Sequence, residues 1–477
     1  MTRRTKIVAT LGPASDDLAS LQRLLRAGVD VVRLNLSHGS VEQQLARLDR
    51  VRSVAGGLGR PIGVLADLPG PKIRAGQFPD GGVELLAGSS VTVRAGEDSS
   101  DADTICVDYP TLLDDVRVGD RLIVGDGAIC LRVTHEHSTT ATAVVETGGR
   151  PQGRPGVHLP SERMRLMTPT DEDLELAEQM AAAGVEFIAV SFVRTADDLR
   201  KVAAVVDGRA ELVAKIETST ALANLDGILE ASDAIMVARG DLGIDCPLED
   251  VPHLQKSIIR QCVEFGIPVI TATQMLESMV TAPSPTRAEV TDIANAIFDG
   301  TDALMLSGET AIGHDPALVV STMSTIAERA EEEAHYRQWA ARLGRVQRQR
   351  WDSINDQITA AISHAASMAA DDIGATAILC CTSSGRTAKA MARFRPQARL
   401  VGLSPNPRTV NALNLSWGVL PLPVDIYAST DDIVWHAVER AVREGYIATG
   451  DVVVVVAGSP ERAASTAADV LRIVQVQ

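Results

Sequence analysis

Lysine is scarce in this chain of 477 residues: only Lys6, Lys72, Lys201, Lys215, Lys256 and Lys389 occur, and arginine carries the remaining positive charge. A lysine inside an apolar stretch therefore calls for an explanation. No run of Lys and Arg is present, and the formal net charge is −17. A surface this acidic repels DNA, RNA and anionic lipid, so neither a nucleic acid nor a membrane is expected as a partner. Apolar runs are short; one of the longest, Val452-Val453-Val454-Val455-Val456-Ala457, falls far below the length that crosses a bilayer. The N-terminus runs straight into Ile7-Val8-Ala9 without an apolar signal core, so secretion is not expected and a cytoplasmic location is. The cysteines (Cys106, Cys130, Cys246, Cys262, Cys380 and Cys381) lack any Cys-x-x-Cys spacing. Reduced thiols are expected, with no zinc site. Tandem repeats and low-complexity tracts are also absent.

The length points to about three domains. Between Lys6 and Glu332 a short apolar strand, a polar loop and an amphipathic helix recur. Strands are expected at 7–10, 31–34, 62–66, 187–190, 212–216, 234–238, 268–271 and 303–306. They are rich in Val, Ile and Ala and nearly continuous in hydrophobicity, as parallel strands covered on both faces are. Ser15 is positioned to cap a helix that carries Leu18, Leu21, Leu24 and Leu25 on one face, with Gly28 as its stop. Thr170 and Asp173 have capping-box spacing, and Gly184 ends that helix. Eight strand–helix units predict a (β/α)₈ TIM barrel.

The stretch from 74 to about 160 breaks the pattern. It is rich in Gly, Val, Thr and Asp, alternates at Val91-Thr92-Val93 and Leu131-Arg132-Val133, and carries turn pairs at Asp80-Gly81 and Asp126-Gly127. A small all-β domain inserted in a barrel loop is expected there. The charged stretch 331–350 has a helical pattern and leads into a third region. There, strands at 377–380, 400–403 and 452–456 alternate with helices, predicting an open α/β domain. All four tryptophans, Trp339, Trp351, Trp417 and Trp435, fall in or just before it. The domains are thus expected at 1–70 and 161–340 (barrel), 71–160 (insert) and 341–477 (C-terminal).

Barrel chemistry sits where strands end, and six of these strands end in polar clusters. They are Arg33-Leu34-Asn35-Leu36-Ser37-His38-Gly39, Asp67-Leu68-Pro69-Gly70-Pro71-Lys72-Ile73-Arg74, Lys215-Ile216-Glu217, Arg239-Gly240-Asp241-Leu242-Gly243, Thr273-Gln274-Met275-Leu276-Glu277-Ser278 and Ser307-Gly308-Glu309-Thr310. Each has a bland reading alone. Lys215 beside Glu217 is usually a satisfied ion pair, Arg239-Gly240-Asp241 is a common loop tripeptide, and His38 can be structural. Glu309 can simply favour the first turn of the next helix. Independent structural reasons on six strand ends are a poorer account than one shared site.

The residue types define a chemistry. Carboxylates at the ends of adjacent strands, Glu217 and Asp241, make an octahedral Mg²⁺ site with water and substrate oxygens. Lys215 supplies a point charge for a phosphoryl group and Arg33 a planar fork. Gly240 lets backbone N–H groups approach an anion, and Thr273 offers a hydroxyl. The set suits a small phosphorylated carboxylic acid with a metal bridging carboxylate and phosphate.

These motifs, in this order, resemble pyruvate kinase over nearly the whole chain. The resemblance starts at Lys6-Ile7-Val8-Ala9-Thr10-Leu11-Gly12-Pro13. Its most specific parts are Gln274-Met275-Leu276-Glu277-Ser278-Met279, Pro285-Thr286-Arg287-Ala288-Glu289 and Leu306-Ser307-Gly308-Glu309-Thr310. It implies transfer of a phosphoryl group from phosphoenolpyruvate to ADP, giving pyruvate and ATP, with Mg²⁺ or Mn²⁺. By the same resemblance Arg33 and Lys215 bind phosphate, Glu217 and Asp241 hold the metal, and Gly240, Asp241 and Thr273 form the substrate site. Asn35, His38 and Arg74 contact nucleotide phosphates. The insert is a lid that excludes water, with Asp126 as its acid. Thr273, Ser307 and Glu309 support a water relay that protonates the enolate on carbon.

Asn35, Ser37, Asp67 and Leu68 match a monovalent-cation site, usually K⁺, though a Thr is common where Leu68 stands. Lys72 occupies a position that is Glu in K⁺-dependent members, which implies that its ammonium replaces K⁺. In the C-terminal region Thr382-Ser383-Ser384-Gly385-Arg386-Thr387 resembles the family's loop for a phosphorylated effector. A departure follows at 459–466, where Glu461 does not suit a second phosphate. A homotetramer is implied by the resemblance alone. Two other readings remain open: a Mg²⁺-dependent TIM-barrel lyase or mutase on phosphoenolpyruvate-like substrates, and a decayed paralogue that senses metabolites.

Overall fold

The computed structural model describes residues 3–71, 73–125, 129–159, 167–334, 354–458 and 468–477. Lys72, Asp126 with its turn pair, Trp339, Trp351, the charged stretch beyond Ala334, and Glu461 with the rest of 459–466 lie outside the described residues.

The eight expected strands form a closed parallel barrel. They are β1 (Lys6–Thr10), β2 (Val31–Asn35), β3 (Gly63–Asp67), β10 (Phe187–Val190), β11 (Glu211–Ile216), β12 (Ala234–Ala238), β13 (Val269–Ala272) and β14 (Ala303–Leu306). Successive strand residues face opposite sides of a sheet. One set, including Val8, Leu65, Phe187, Val213, Met236 and Ile270, fills the barrel interior. The alternate set, including Ile7, Val32, Val64 and Ile188, packs against the surrounding helices.

The first helix starts later than expected. Residues Pro13–Ser15 make a 3₁₀ turn in which the Ser15 hydroxyl accepts from Gly12 N at 3.1 Å, so Ser15 is spent before the helix begins. Asp17 caps Leu18–Arg26 instead, accepting from Ala19 N and Ser20 N at 3.0 Å each. Leu18 is then the first helical residue and points outward, 58% exposed, while Leu21, Leu24 and Leu25 are buried. The Thr170–Asp173 capping box forms as expected, and Gly184 follows that helix in a left-handed conformation.

Between β3 and β10 lies the inserted sheet, in the order β5-β4-β8-β7-β6-β9. Its strands are β4 (Ser90–Ala95), β5 (Thr104–Val107), β6 (Arg121–Val124), β7 (Ile129–Glu136), β8 (Ala141–Thr147) and β9 (Val157–His158). The incoming chain ties both edges together, since Ala75 pairs with Val107 and Arg74 with Gly156. The insert has its own core around Phe78, Leu122, Leu131 and Val145. One short helix, Leu112–Asp115, departs from the all-β expectation.

The C-terminal sheet has five strands, in the order β17-β16-β15-β18-β19. Three were expected: β15 (Ala377–Cys381), β16 (Arg399–Ser404) and β18 (Val452–Ala457). The two extra are the edges, β17 (Val419–Pro423) and the antiparallel β19 (Val470–Gln475). Pro421 and Pro423 argue against a central strand but are tolerated at an edge. The Leu471-Arg472-Ile473 stretch of β19 is half solvated and reads weakly as core. No helix among the described residues is long and apolar enough to cross a membrane.

The C-terminal domain closes the N-terminal end of the barrel. Ala412 and Leu415 complete the apolar cluster inside the barrel. A Cβ on Gly63 would lie 3.1 Å from the Asn411 carbonyl oxygen, so glycine at the start of β3 lets the two backbones meet. Around this floor, carboxylates cap strand backbones. Asp30 accepts from Ile7 N, Glu186 from Val64 N, Asp233 from Leu212 N and Asp302 from Val269 N, at 2.8–3.0 Å. These acids are structural, as residues at the N-terminal face of such a barrel usually are.

Candidate active site

The opposite end is open. Arg33 in the middle of β2 donates from Nε to Asp67 Oδ2 on β3 at 2.7 Å and from Nη1 to the Thr10 hydroxyl at 3.1 Å. Lys215 on β11 sits among acids, with Nζ 2.9 Å from Glu217 Oε1, 3.3 Å from Asp67 Oδ1 and donating to Ser191 Oγ at 2.7 Å. Glu217 Oε2 accepts from Phe192 N at 2.6 Å. Asp67 and Glu217 are almost fully buried.

Burial sets the electrostatics. It pushes Glu217 up to about 7, with Asp241 adding to the rise and Lys215 opposing it. Burial disfavours charge on Asp67 too, but Lys215 and Arg33 outweigh it and hold the carboxyl below its usual value. Burial also disfavours the Lys215 ammonium, yet Asp67 and Glu217 override it and raise the pKa. The lysine is thus locked in its charged form and held in place, which suits a fixed electrostatic group and not a base.

A cleft of about 1170 Å³ opens above this cluster. Barrel residues Arg33, Asn35, Ser37, His38, Asp67, Leu68, Lys215, Glu217 and Asp241 line it, and Arg74, Arg121 and His158 line it from the insert side. Ten of the positions expected from the sequence therefore meet in one cavity. Asn35 also has a local job, since its Oδ1 accepts from Ser37 N at 3.1 Å. The Leu68 carbonyl accepts from Ser191 Oγ at 2.7 Å.

Gly240, Thr273, Ser307 and Glu309 sit on neighbouring strand ends but do not line that cavity. Gly240 N donates to Thr273 Oγ1 at 2.9 Å, and that hydroxyl donates to the Ala272 carbonyl at 2.6 Å. The N–H expected to face an anion is thus engaged by threonine. Thr273 and Gln274 have φ of 70° and 54°, a left-handed conformation strained for non-glycine residues. Arg239 pins this turn, donating to the Ala272 and Thr273 carbonyls and pairing with Asp292. Glu309 is fully buried, and its two oxygens accept from Leu276 N at 3.1 Å and Ser307 N at 2.6 Å. Glu309 thereby clamps the loops after β13 and β14.

Sequence reasoning missed Ser191. It follows β10, the one barrel strand between the third and the fifth whose end carries no conspicuous polar cluster, and its hydroxyl joins Lys215 to the Leu68 carbonyl. Applying the strand-end rule to every strand would have found it.

Among the described residues no group of three or more His, Cys, Asp or Glu side chains gathers as a metal site. Mg²⁺ does not need one, because it keeps waters and takes one or two carboxylates plus substrate oxygens. Glu217 Oε1 is buried and faces Lys215 Nζ at 2.9 Å, with no other partner among the described residues. Asp241 is close enough to raise the Glu217 pKa. Hard oxygen donors with one unsatisfied lone-pair site fit a hard divalent cation.

In the C-terminal domain, the turn after β15 places Ser383, Ser384 and Arg386 at the surface, while Gly385 and Thr387 are buried. Thr382 Oγ1 accepts from Gly385 N at 2.9 Å and stabilises the turn. The outer face of the expected cradle is therefore Ser383, Ser384 and Arg386.

Comparison with known proteins covers both large domains. Residues 2–320 match the family model described as pyruvate kinase, barrel domain, and residues 360–474 match pyruvate kinase, alpha/beta domain. Pyruvate kinase of Methylorubrum extorquens is 41% identical over 459 residues, which is 96% of this chain and 95% of that protein. Pyruvate kinase of Bacillus licheniformis is 40% identical over 97% of this chain and 79% of its own length. That of Clostridium acetobutylicum is 36% identical over 97% and 98%.

Proposed function

The chain belongs to the pyruvate kinase family and is a phosphotransferase that carries the phosphoryl group of phosphoenolpyruvate to ADP, and from that premise we propose how its own residues do so. The observation that carries the reading is the buried cluster of Lys215, Arg33, Asp67, Glu217 and Ser191 at the base of the cleft. The lyase and sensor alternatives find no support beside it.

Arg33 and Lys215 bind the phosphoryl group of phosphoenolpyruvate. In the reaction the P–O bond to the enolate oxygen breaks and a P–O bond to the terminal oxygen of ADP forms. Lys215, fixed by Ser191, Asp67 and Glu217, faces the charge that spreads over the phosphoryl oxygens and needs no reorganisation to do so. Glu217 and Asp241 would hold a divalent cation, Mg²⁺ or Mn²⁺, which would supply positive charge against the negative charge of the substrate. Asn35, His38 and Arg74 orient the phosphates of ADP. The enolate then takes a proton at carbon to give pyruvate. The Thr273 hydroxyl is the relay group, with Arg239, Ser307 and Glu309 holding the loops around it. The insert, at 71–160, acts as a lid over the barrel segments 1–70 and 161–340 and excludes water that would hydrolyse the transferring group.

K⁺ is not required in this reading. Two cations, Arg33 and Lys215, already meet Asp67, and the sequence supplies a third in Lys72. The domain at 341–477 takes a phosphorylated effector on Ser383, Ser384 and Arg386. From that loop, helix Arg386–Ala392 reaches the barrel through Lys389, whose Nζ lies 2.7 Å from Glu211 Oε1. Glu211 begins β11, and the other end of β11 carries Lys215, so one short strand joins the two sites. The enzyme works in the cytoplasm as a homotetramer.

The test is pyruvate formation from phosphoenolpyruvate with ADP and Mg²⁺ omitted in turn and K⁺ replaced by a tetraalkylammonium ion. Turnover that needs ADP and Mg²⁺ and persists without K⁺ is expected. Activity that appears only on adding KCl overturns the role given to Lys72, and turnover without ADP overturns the reaction.

A further inference from the structure

The insert joins the barrel at two points, and one carboxylate holds both. Asp173, in the first turn of helix Asp171–Ala182, is 2% exposed. Its Oδ1 accepts from Gly70 N at 2.9 Å, where the chain leaves β3 for the insert. Its Oδ2 accepts from Thr170 N at 2.9 Å and from the Thr170 hydroxyl at 2.8 Å, where the chain has come back. An ionised carboxylate accepts on both oxygens and donates from neither, which suits a place between two backbone N–H groups. The bonds to Thr170 belong to an ordinary capping box. The bond to Gly70, 103 residues away in the chain, does not.

Gly70 in turn seats the end of β10. It has φ of 67°, and a Cβ there would lie 2.8 Å from a ring carbon of Phe192 and 2.9 Å from Ser191 Cβ. Glycine is required on both counts. Phe192 itself has φ of 53°, an outlying conformation for a bulky side chain. Such strain persists only where the surroundings impose it. Here it aims Phe192 N at Glu217 Oε2, 2.6 Å away. One residue earlier, the Ser191 hydroxyl accepts from Lys215 Nζ and donates to the Leu68 carbonyl, both at 2.7 Å. Leu68 N donates to the Ala189 carbonyl at 2.9 Å, so the two strand ends are laced together.

We propose that Asp173, Gly70 and Phe192 are positioning residues for phosphoryl transfer. Asp173 fixes the base of the lid, Gly70 packs against the Ser191–Phe192 turn, and that turn sets the places of Lys215 and Glu217. Lid movement then pivots beyond Gly70 and before Thr170, and leaves the two charged groups where they stand. This role rests on the reading of Lys215, Glu217 and the lid given above.

A wild type that does not turn over phosphoenolpyruvate with ADP and Mg²⁺ overturns that reading and this role with it. With an active wild type, two variants of the full chain decide this role alone. Gly70→Ala forces the Phe192 turn to move, because neither ring carbon nor Ser191 Cβ can stay at its distance from the new methyl. Its kcat is expected to fall about tenfold or more. Mn²⁺ affinity of the substrate-free protein, read by electron paramagnetic resonance, is expected to weaken about tenfold. Asp173→Asn keeps the shape but turns one acceptor into a donor that faces a backbone N–H; both quantities should move the same way, several-fold. All measurements are made well below the Tm of each variant. A lower Tm with kcat and Mn²⁺ affinity within twofold of wild type in both variants means packing alone and overturns the proposal. Losses in Gly70→Ala with none in Asp173→Asn overturn the clamp.

Discussion

Each end of the barrel holds a lysine among carboxylates, and the two lysines are driven in opposite directions. Lys215, at the open end, has Glu217 at 2.9 Å and Asp67 at 3.3 Å, and its pKa is raised. Lys6, at the closed end, has Asp30 at 3.9 Å and donates to the Val419 carbonyl at 2.7 Å. Burial dominates there and lowers its pKa. Proximity decides the outcome, because a buried charge is tolerated only where opposite charge is close enough to repay desolvation. The open end invests its charges in a ligand-facing cluster. The closed end spends its acids on backbone amides and on Arg395, and covers them with a second domain.

The sharpest way to break this contrast is to remove each lysine. Lys215→Met is expected to lower kcat by about 10²–10³-fold or more, as loss of a fixed electrostatic group does. Lys6→Met should leave kcat within about threefold and change stability by about 1 kcal/mol, the scale of one hydrogen bond. Steady-state kinetics and thermal unfolding of both variants check this; equal losses of kcat would erase the distinction between the ends.

A second substitution asks whether the closed end is purely structural. Arg395→Met leaves Asp302 without its buried partner and should cost about 3–5 kcal/mol of stability. Its kcat per folded molecule, measured well below the transition, should be unchanged. A loss of rate with no loss of stability would move the floor into the catalytic account.

The Glu217 pKa of about 7 sharpens the picture of the open end. A carboxyl raised on folding favours the protonated native state, so the ligand-free protein loses stability as pH climbs from the ordinary carboxylate range to about 7, and little further above it. A metal needs the ionised form. Mn²⁺ affinity should therefore rise up to about tenfold per pH unit below that value and level off above it. A profile with no such rise over pH 5.5–8 would remove Glu217 from the ligand set.

The smallest effect is expected at Lys389, where the C-terminal domain meets the base of β11 and the proposed coupling would run. Lys389→Gln breaks the pair with Glu211 at the base of β11. Basal activity should stay within about twofold, while the activation ratio produced by a phosphorylated effector falls several-fold, within the usual range of coupling energies. Effector binding measured by calorimetry separates lost coupling from lost binding; intact activation in this variant would exclude the strand as the link.

Much of the open end was legible because strand ends are readable. Continuous Val, Ile and Ala runs mark parallel strands, and the residues that follow must lie on one rim. Lys215, Glu217, Asp67 and Arg33 were found this way, and they meet at 2.7–3.3 Å. Ser191 stands alone after β10, beside Phe192 and Val193, so only a strand-end rule applied to every strand reaches it. Glu309 shares the strand-end position of the others, and its clamp on Leu276 N and Ser307 N comes from contacts that no sequence window displays. The first helix was begun early because a 3₁₀ turn consumed Ser15.

Periodicity and local residue choice by themselves determined the barrel, the inserted sheet, the presence of the C-terminal α/β domain and the rim on which the reactive groups stand. These follow from short-range rules that any window of the chain displays. The tertiary structure decided which end would be open. Asp30, Glu186 and Asp302 precede their strands while Asp67 and Glu217 end or follow theirs, so sequence order separates the two rims but does not show what covers either. Their fates diverged because Ala412 and Leu415, about a hundred residues or more beyond the last of them, complete the barrel's apolar interior from below. Charges beneath that cover had to be satisfied by protein, and charges at the other end remained available for a ligand.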